Sequence, residues 1–430
     1  MAESASGVSS KRQALVAARS VWVLLFGICL LMLGNGLQGS LLGVRATQEG
    51  FGGGLTGLVM SGFFAGFLLG SRWTPSAVRS VGHVRVFAAL ASVASVSILV
   101  HAVFVTPLVW GVMRFLTGLC LAGVYVVAES WLNDRAGNGS RGQLLAIYMV
   151  VTFLGMGGGQ FLLNAADPGG AELFILASVL ISLAVVPMLL TAAPVPESGA
   201  VDPVGLRRLF QVSPLGTVGT FVAGITNGTV FGMGAVYAHQ AGLSVAEVAL
   251  FMGVLIAGGA VFQYPVGMLS DIFDRRVVIM GVAFAAAGVA VAAQWAAGWS
   301  EGWLLALVGL FGGLALAVHS LCLAYTNDSL YSSEMVAASS GLVLVLGAGS
   351  ILGPPVVGWL MDVLGPGGFF WWLALVHVAI GLYTLWRIVY HSGTPAEEQG
   401  PYVAMPAQAS QFATEAAEEV YAEQEEERAE

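Results

Sequence analysis

Three side chains that bind or exchange ions stand in one apolar stretch of the chain. Arg114, Tyr125 and Glu129 occur within MRFLTGLCLAGVYVVAES, where nearly every other residue is apolar or small. At about 100° per residue, a helix would place the three within roughly 80° of one another. An arginine that keeps its proton can hold an anion, and a buried carboxylate can exchange a proton. The pattern predicts a polar stripe that lines a cavity.

Both charges of this stripe have a second interpretation. Arg114 could instead be a structural tie to backbone carbonyls of a neighbouring helix. Glu129 lies about one and a half turns before Asp134, at the end of the stretch, so it is either a proton site or a gate latch that pairs with a loop arginine. For Asp134, and for Asp328 at the end of a later stretch, we favour a latch or a helix cap over coupling.

A second group of polar residues in apolar stretches carries no charge. Amide and phenol side chains at these positions can hydrogen-bond a ligand inside the membrane. With Arg114 and Tyr125 they form the predicted substrate wall, whose other members are Asn35, Gln38, Asn227, Gln263 and Tyr264. Hydrogen bonds between helices are the alternative role for each of them.

A charged cluster follows the stretch that contains Gln263. In GMLSDIFDRR, Asp271 precedes Arg275 and Arg276 within one short loop. These residues form either a charge clasp that holds an inner gate shut or plain charges that set the membrane topology. The residues alone leave both interpretations open, and resemblance to a known family favours the clasp.

The apolar stretches that hold these residues are predicted to be helices that cross a membrane. Of 430 residues, 57% are hydrophobic and only 10% are charged, whereas soluble domains are about a quarter charged. A membrane-spanning helix needs about 20 mostly apolar residues because its backbone must be satisfied internally. That rule predicts twelve spans, at 20–43, 55–72, 84–105, 107–131, 142–164, 172–191, 213–238, 247–269, 277–297, 302–325, 336–361 and 368–390.

The spans divide the chain into two halves of six. We expect a cytoplasmic arm at 1–19, six-helix bundles at 20–191 and 213–390, and a Pro- and charge-rich linker at 192–212. Ten glutamates and one arginine occur from Glu397 onward, so 391–430 is predicted to be a disordered acidic cytoplasmic tail. Without that acidic stretch the formal charge is balanced, and nothing indicates nucleic-acid binding.

Lys and Arg predict the orientation, since they are retained on the cytoplasmic side of short loops. Fourteen of the sixteen basic residues fall on one side of the twelve-span arrangement; Arg45 falls on the other side and Arg114 within a span. Both termini are therefore predicted to be cytoplasmic.

Recurring residues indicate that the two halves are copies. Asn35 and Asn227 lie 192 positions apart, in LMLGNGLQGS and VAGITNGTVFG. Asn133 and Asn327 lie 194 positions apart, as do Gly155 and Gly349 in the stretches that follow. Three pairings at nearly one offset favour a duplicated six-helix unit, with the substrate site between the copies.

These features resemble a known family. MRFLTGLCLAGVYVVAESWLNDRAGNGSRGQLLAIYM and GMLSDIFDRR are similar to the YcaD-like branch of the major facilitator superfamily, over about 20–390. The resemblance implies an all-α membrane protein with twelve transmembrane helices in two pseudo-symmetric six-helix bundles. RFLTGLCLAG resembles the superfamily's fourth-helix arginine motif. The chain departs from the family where GSRWTPSAVRSVGHVR lacks the acidic residue usual between helices 2 and 3.

The predicted function is that of a secondary active transporter, which moves a small solute across the bacterial inner membrane by alternating access. An ion gradient would drive it, with the proton as a candidate, because no GxxxxGK[ST] loop is present. The alternative is a non-transporting sensor or structural protein with a transporter fold. No catalytic constellation or Cys/His cluster indicates an enzyme, a cofactor or a metal. We expect a monomer whose partners are the solute and the lipid bilayer.

Overall fold

In the computed structural model, the described residues form helices joined by short turns, without a strand among them. They are 3–135, 141–189, 205–330, 332–391, 399–400 and 402–403. The helices are α1 (Glu3–Gln48), α2 (Gly53–Val81), α3 (His83–Val103), α4 (Pro107–Arg135), α5 (Arg141–Phe161), α6 (Glu172–Leu189), α7 (Leu206–Val212), α8 (Pro214–Gln240), α9 (Val245–Ile272), α10 (Arg275–Ala296), α11 (Glu301–Asn327), α12 (Ser332–Leu364) and α13 (Gly368–Tyr390). A 3-10 turn, Leu162–Ala165, follows α5.

Eleven of the described helices are long and apolar enough to cross a membrane. α6 carries a shorter apolar stretch, Glu172–Pro187, at the position of the predicted sixth span. The all-α membrane fold predicted from the sequence is thus confirmed, with eleven of the twelve predicted spans at full length among the described residues. The short helix α7 lies at the end of the predicted linker, whose residues 192–204 are outside the described part.

The second span is longer than the sequence predicts. α2 continues past 72 to Val81, through RWTPSAVRS and with Pro75 inside the helix. The polar composition indicated a loop there, but a helix can continue beyond the apolar layer once its polar side chains reach water. α2 ends at Gly82, whose φ of 89° lies in the region that favours glycine, and α3 begins at the next residue.

The helices pack as two bundles of six with the same arrangement. In the first bundle α1 packs on α5 and α6, α2 packs on α4, and α3 packs on α4 and α6. In the second bundle α8, α9 and α10 repeat these contacts with α12, α13 and α11. Between the bundles, α1 contacts its counterpart α8. α2 contacts α12, and the corresponding contact joins α9, the counterpart of α2, to α5, the counterpart of α12. A pseudo-twofold axis relates contacts between two bundles in this way.

Close helix contacts repeat at the offsets found in the sequence. Where helices of one bundle approach most closely, a side chain added to a glycine would collide with a carbonyl oxygen of the neighbouring helix. The matching glycine and oxygen pairs are Gly36–Met156 with Gly228–Ser350, Gly159–Leu33 with Gly353–Ile225, and Gly118–Phe63 with Gly312–Leu255. Positions in α1 and α2 recur 192 residues later, and those in α4 and α5 recur 194 residues later. The duplication therefore preserves the sites where backbones touch.

The two ends of the protein differ in charge and are named accordingly. The basic end holds Arg72, Arg79, Arg276 and Arg387, and it is the end predicted to be cytoplasmic. The opposite end holds Arg45, which pairs with Glu49 through Nη2 and Oε1 at 2.6 Å, and Asp362.

Candidate functional site

Arg114 is buried at the interface between the bundles. Its side chain is 3% exposed, and its Cζ lies 4.4 Å from the centre of the Phe63 ring. Neither Nε nor Nη1 has a hydrogen-bond partner in the described part of the chain. A buried donor without a partner costs about 1–3 kcal/mol, and more when the group is charged. The guanidinium thus has donors available for a further hydrogen-bond partner.

A small cavity lies beside this arginine. It is lined by both bundles, with Asn35, Ser40, Gln160 and Arg114 from the first and with Phe231 and Met252 from the second. Its volume of about 30 Å³ is enough for one or two waters, since one water needs about 10–15 Å³. The bundles must move apart before a solute fits at Arg114.

Hydrogen bonds fix the polar wall of the cavity. Asn35 Nδ2 donates to the Tyr125 hydroxyl at 3.2 Å, which joins α1 to α4. Gln160 Nε2 donates to the carbonyls of Gly36 and Met156, at 3.1 Å each, and Ser40 donates to Gln160 Oε1. The structure thus places two of the predicted substrate residues, Asn35 and Arg114, at one cavity, and a third, Tyr125, bonds Asn35 from outside its lining.

The remaining predicted substrate residues occupy different surroundings. Gln38 is fully buried, and neither atom of its amide has a partner among the described residues; the same holds for Oδ1 of the buried Asn227. Gln263 is buried at the wall of a cleft between α5 and α9, whereas Tyr264 is 74% exposed at the edge of that cleft. Tyr264 is therefore placed apart from the Arg114 cavity.

A second, larger cavity is a cleft between α5 of the first bundle and α9 of the second. Its volume is about 970 Å³, and it runs from Phe161 and Gly253 to Leu145 and Asp271 at the basic end. Apolar side chains of α5 and α9 line most of it. The volume lies at the upper end of the range for small-molecule pockets, about 300–1,000 Å³. The cleft therefore follows α5 and α9 along most of their length and reaches the basic end.

The opposite end is closed by α2 and α12. The Gly53 and Gly54 N–H groups donate to the two carboxylate oxygens of Asp362 at 2.6 and 2.7 Å. Farther along, Ser61 Oγ donates to the Ile351 carbonyl at 2.7 Å. Asp362 of one bundle thereby caps the positive N-terminus of a helix of the other.

Glu129 lies toward the basic end of α4. It is buried, and its Oε1 accepts a hydrogen bond from the hydroxyl of Tyr148 on α5. Arg114, Tyr125 and Glu129 are all buried on α4, as the stripe requires. The side chain of Asp134 lies outside the described residues.

The charged cluster at the basic end joins α9, α10 and α11 of the second bundle. Arg275 Nη1 lies 2.5 Å from Asp328 Oδ2, and Arg275 Nη2 lies 3.4 Å from Asp271 Oδ1. The side chains of Arg275 and Asp328 are fully buried. The structure thus brings these three predicted gate residues together within one bundle.

Arg276 has a different partner. Its backbone N–H and guanidinium donate to Asp274, the N-cap of α10, at 2.9 and 2.7 Å. Partial burial acts to raise the pKa of the Asp274 carboxyl, but the hydrogen bonds from Arg276 outweigh it and hold that pKa below its ordinary value. The pair therefore stays charged at neutral pH.

Comparison with known proteins agrees with this architecture. The family model described as Major Facilitator Superfamily matches residues 216–416. Proteins named uncharacterized MFS-type transporter YcaD, from Escherichia fergusonii and Escherichia coli, are 25% and 26% identical to this chain; each alignment covers 88% of it and 98% of the relative. The chain is thus similar to the major facilitator superfamily over its second half and to these relatives over most of its length. The resemblance to the YcaD-like branch is confirmed, and the proteins that the chain resembles are named as transporters.

Solved structures of superfamily members share the fold at low identity. The nucleoside transporter NupG superposes with a TM-score of 0.71 at 12% identity, over 86% of this chain and 98% of its own. A D-xylose–proton symporter gives 0.65 at 14% identity, over 90% of this chain and 99% of its own. These likenesses establish the transporter fold.

Three residues that the sequence did not single out are central to the geometry of the protein. Asp362 closes the opposite end, Gln160 braces the wall beside Arg114, and Tyr148 holds Glu129. Gln160 ends GMGGGQ, so an amide among interface glycines was a usable signal. Nothing local marks Asp362, whose partner Gly53 lies 309 positions away.

Proposed function

We propose that the protein is a secondary active transporter that moves a small solute across the bacterial inner membrane by alternating access. The observation that carries the proposal is the unequal closure of the bundle interface. α2 and α12 interlock at the opposite end, whereas the cleft between α5 and α9 follows most of their length and reaches the basic end at Asp271. The polar cavity at Arg114 is too small for a solute. A rocking motion of the two bundles would enlarge that cavity toward one end at a time.

The proposal includes the arrangement of the chain in the membrane. The bundles comprise 20–191 and 213–390, the basic end faces the cytoplasm together with both termini, and the protein acts as a monomer. Segregation of the arginines supports this orientation.

The substrate and the energy source are the finer parts of the proposal. Arg114 would hold an anionic group of the solute, and the amides of Asn35, Gln38 and Asn227 would hydrogen-bond its polar remainder. Similarity in fold to a nucleoside transporter and a D-xylose–proton symporter supports a small polar solute and a proton gradient.

Alternating access can be measured without knowing the solute. Nitroxide pairs at Leu108 and Trp303 report the bundle separation at the opposite end, and pairs at Val81 and Ile272 report it at the basic end; all four side chains are exposed. We expect two populations of protein in lipid nanodiscs, with the first distance longer when the second is shorter. A single population at both ends across pH and lipid composition contradicts the proposal.

We further propose that Glu129 carries the coupled proton. Glu129→Gln is expected to reduce proton-driven accumulation in liposomes to background while exchange between two loaded sides continues, because exchange moves no net proton. The solute would come from a melting screen of purified protein against carboxylates, phosphates, nucleosides and sugars. Tyr148→Phe is the control, since it removes the hydrogen bond and keeps the carboxylate. Wild-type accumulation by Glu129→Gln would leave Glu129 as a gate latch.

A further inference from the structure

Four residues after α13 return to the basic end of the second bundle. Gln399, Gly400, Tyr402 and Val403, the docked segment, lie within the stretch predicted from sequence to be a disordered tail. Gln399 is 8% exposed. With its amide oriented to satisfy both contacts, it donates to the Phe273 carbonyl at 3.3 Å and accepts from the Arg275 N–H at 3.2 Å.

Backbone groups of the docked segment bind the charged cluster described above. The Gly400 N–H donates to Asp328 Oδ1 at 3.1 Å, and the Gly400 carbonyl accepts from Arg275 Nη2 at 2.8 Å. The Tyr402 N–H donates to Asp271 Oδ1 at 2.8 Å. Buried charges need their hydrogen-bonding capacity filled, and here a peptide fills part of it. The three charged residues therefore form a receptor for main chain.

Apolar contacts anchor the segment beyond the charges. The Tyr402 ring lies against Gly267 of α9, where an added Cβ would stand 2.6 Å from Tyr402 Cε1. Tyr402 packs on the apolar cluster of the second bundle, and Val403 on the larger apolar core. Glycine at 267 is thus what leaves room for the ring.

The docked segment occupies the basic end of the cleft. Tyr402 and Val403 line the cleft together with Leu145 and Met149 of α5. In a rocking motion, α5 and α9 must approach each other at the basic end when the opposite end opens. Side chains lodged between them oppose that approach.

We propose that the docked segment is a built-in brake, which binds the Asp271–Arg275–Asp328 receptor and holds the transporter in the state closed at the opposite end. The inference rests on the alternating-access function proposed above. Release of the segment frees the cleft to close at the basic end and raises the population that is open at the opposite end.

Docking is tested by chemical modification of purified full-length protein whose native cysteines, Cys29, Cys120 and Cys322, are replaced. Val403→Cys is expected to react with a bulky maleimide at least about tenfold more slowly than His391→Cys, which is exposed. Loss of roughly one charge-assisted hydrogen bond changes the equilibrium between docked and free segment about tenfold. Displacement of the docked segment should therefore remove the protection of Val403→Cys from the maleimide. Equal rates at the two positions overturn the docked segment itself.

The brake is tested by displacing the segment without altering the charges. Gly267→Ala should abolish the protection of Val403→Cys and raise the opposite-end-open population, read from the Leu108–Trp303 distance, about tenfold. Truncation after His391 should raise it equally. Gly281→Ala is the control, because it makes the same change on α10 where an added Cβ meets nothing within 4 Å. It should neither abolish the protection of Val403→Cys nor raise the opposite-end-open population.

Two failures are distinguishable. If Val403→Cys is protected and Asp362→Ala opens the opposite end, but neither Gly267→Ala nor truncation changes the distance, the brake is overturned and alternating access stands. If no variant opens the opposite end, alternating access fails and the brake with it, while the maleimide rates still show whether the segment docks.

Discussion

Replacing Asp362 with alanine is expected to open the end of the transporter at which α2 meets α12. The carboxylate accepts the Gly53 and Gly54 N–H groups, so its loss leaves the N-terminus of α2 without its cap. Because Asp362 is exposed, we estimate the loss at about 1.5 kcal/mol, or roughly tenfold in the ratio of closed to open protein. The Leu108–Trp303 distance distribution should show the longer component rise by that factor.

The control for this variant is another carboxylate at the same end. Asp167 accepts the N–H of Gly169 in its own loop, two residues away. Asp167→Ala removes the same charge from the opposite end without removing a bond between α2 and α12, so the distribution should stay as in the wild type. A wild-type distribution for Asp362→Ala as well would show that this end stays closed through the close packing of α2 on α12, where Gly57 lies against Pro354 and Gly358 against Gly53.

The elements of the fold could be predicted because their signals are local. Apolar length identifies a span, and each copy of the duplicated unit carries its own contact glycines, so the repeat was visible from three residue pairs. The end of α2 was missed for a local reason too. Its last two turns are polar and contain Pro75, and composition alone does not separate such a turn from a loop.

The residue types of the candidate site could be predicted from the sequence, but the directions in which their side chains point could be predicted less well. Gln263 and Tyr264 are adjacent, so a helix points them about 100° apart. The structure places the first inside and the second at the cleft edge. Mean hydropathy does not reveal which face of α9 meets α5, because lipid and the bundle interface are both apolar. The cap between Asp362 and Gly53 was hidden because it joins different bundles.

Arg114 should prove to be a functional residue that the protein retains at the expense of stability. Its Nε and Nη1 lack partners among the described residues, and the adjoining cavity holds little more than a water. Arg114→Met, which keeps the apolar stem over Phe63, is therefore expected to leave the melting temperature unchanged or raise it. If Arg114 were instead a tie to backbone carbonyls, the same variant would melt lower.

The ligand side of this prediction uses acid and amide pairs. Purified wild-type protein is screened by melting against small carboxylates, each beside its own primary amide, and we expect stabilisation by an acid but not by its amide. Arg114→Gln should weaken binding of that acid about thirtyfold or more, as loss of a buried charge-pair partner costs about 2–5 kcal/mol. The affinity of Arg114→Lys for the acid should fall between those of the wild type and Arg114→Gln. Lysine keeps the charge but lacks the planar guanidinium that binds a carboxylate through two hydrogen bonds.

Gln38→Leu is the matched control, since it removes a buried polar side chain of the same interface whose amide lacks partners among the described residues. It should weaken binding of the acid less than Arg114→Gln does and leave the preference for the acid over its amide unchanged, because an amide side chain does not select for charge. Arg114 is the residue of the predicted substrate wall that selects for charge. The difference between the two variants therefore separates recognition of an anion from binding by polar groups in general. Equal affinities of the wild type and Arg114→Gln for every stabilising acid would place the anion elsewhere and return Arg114 to the structural role.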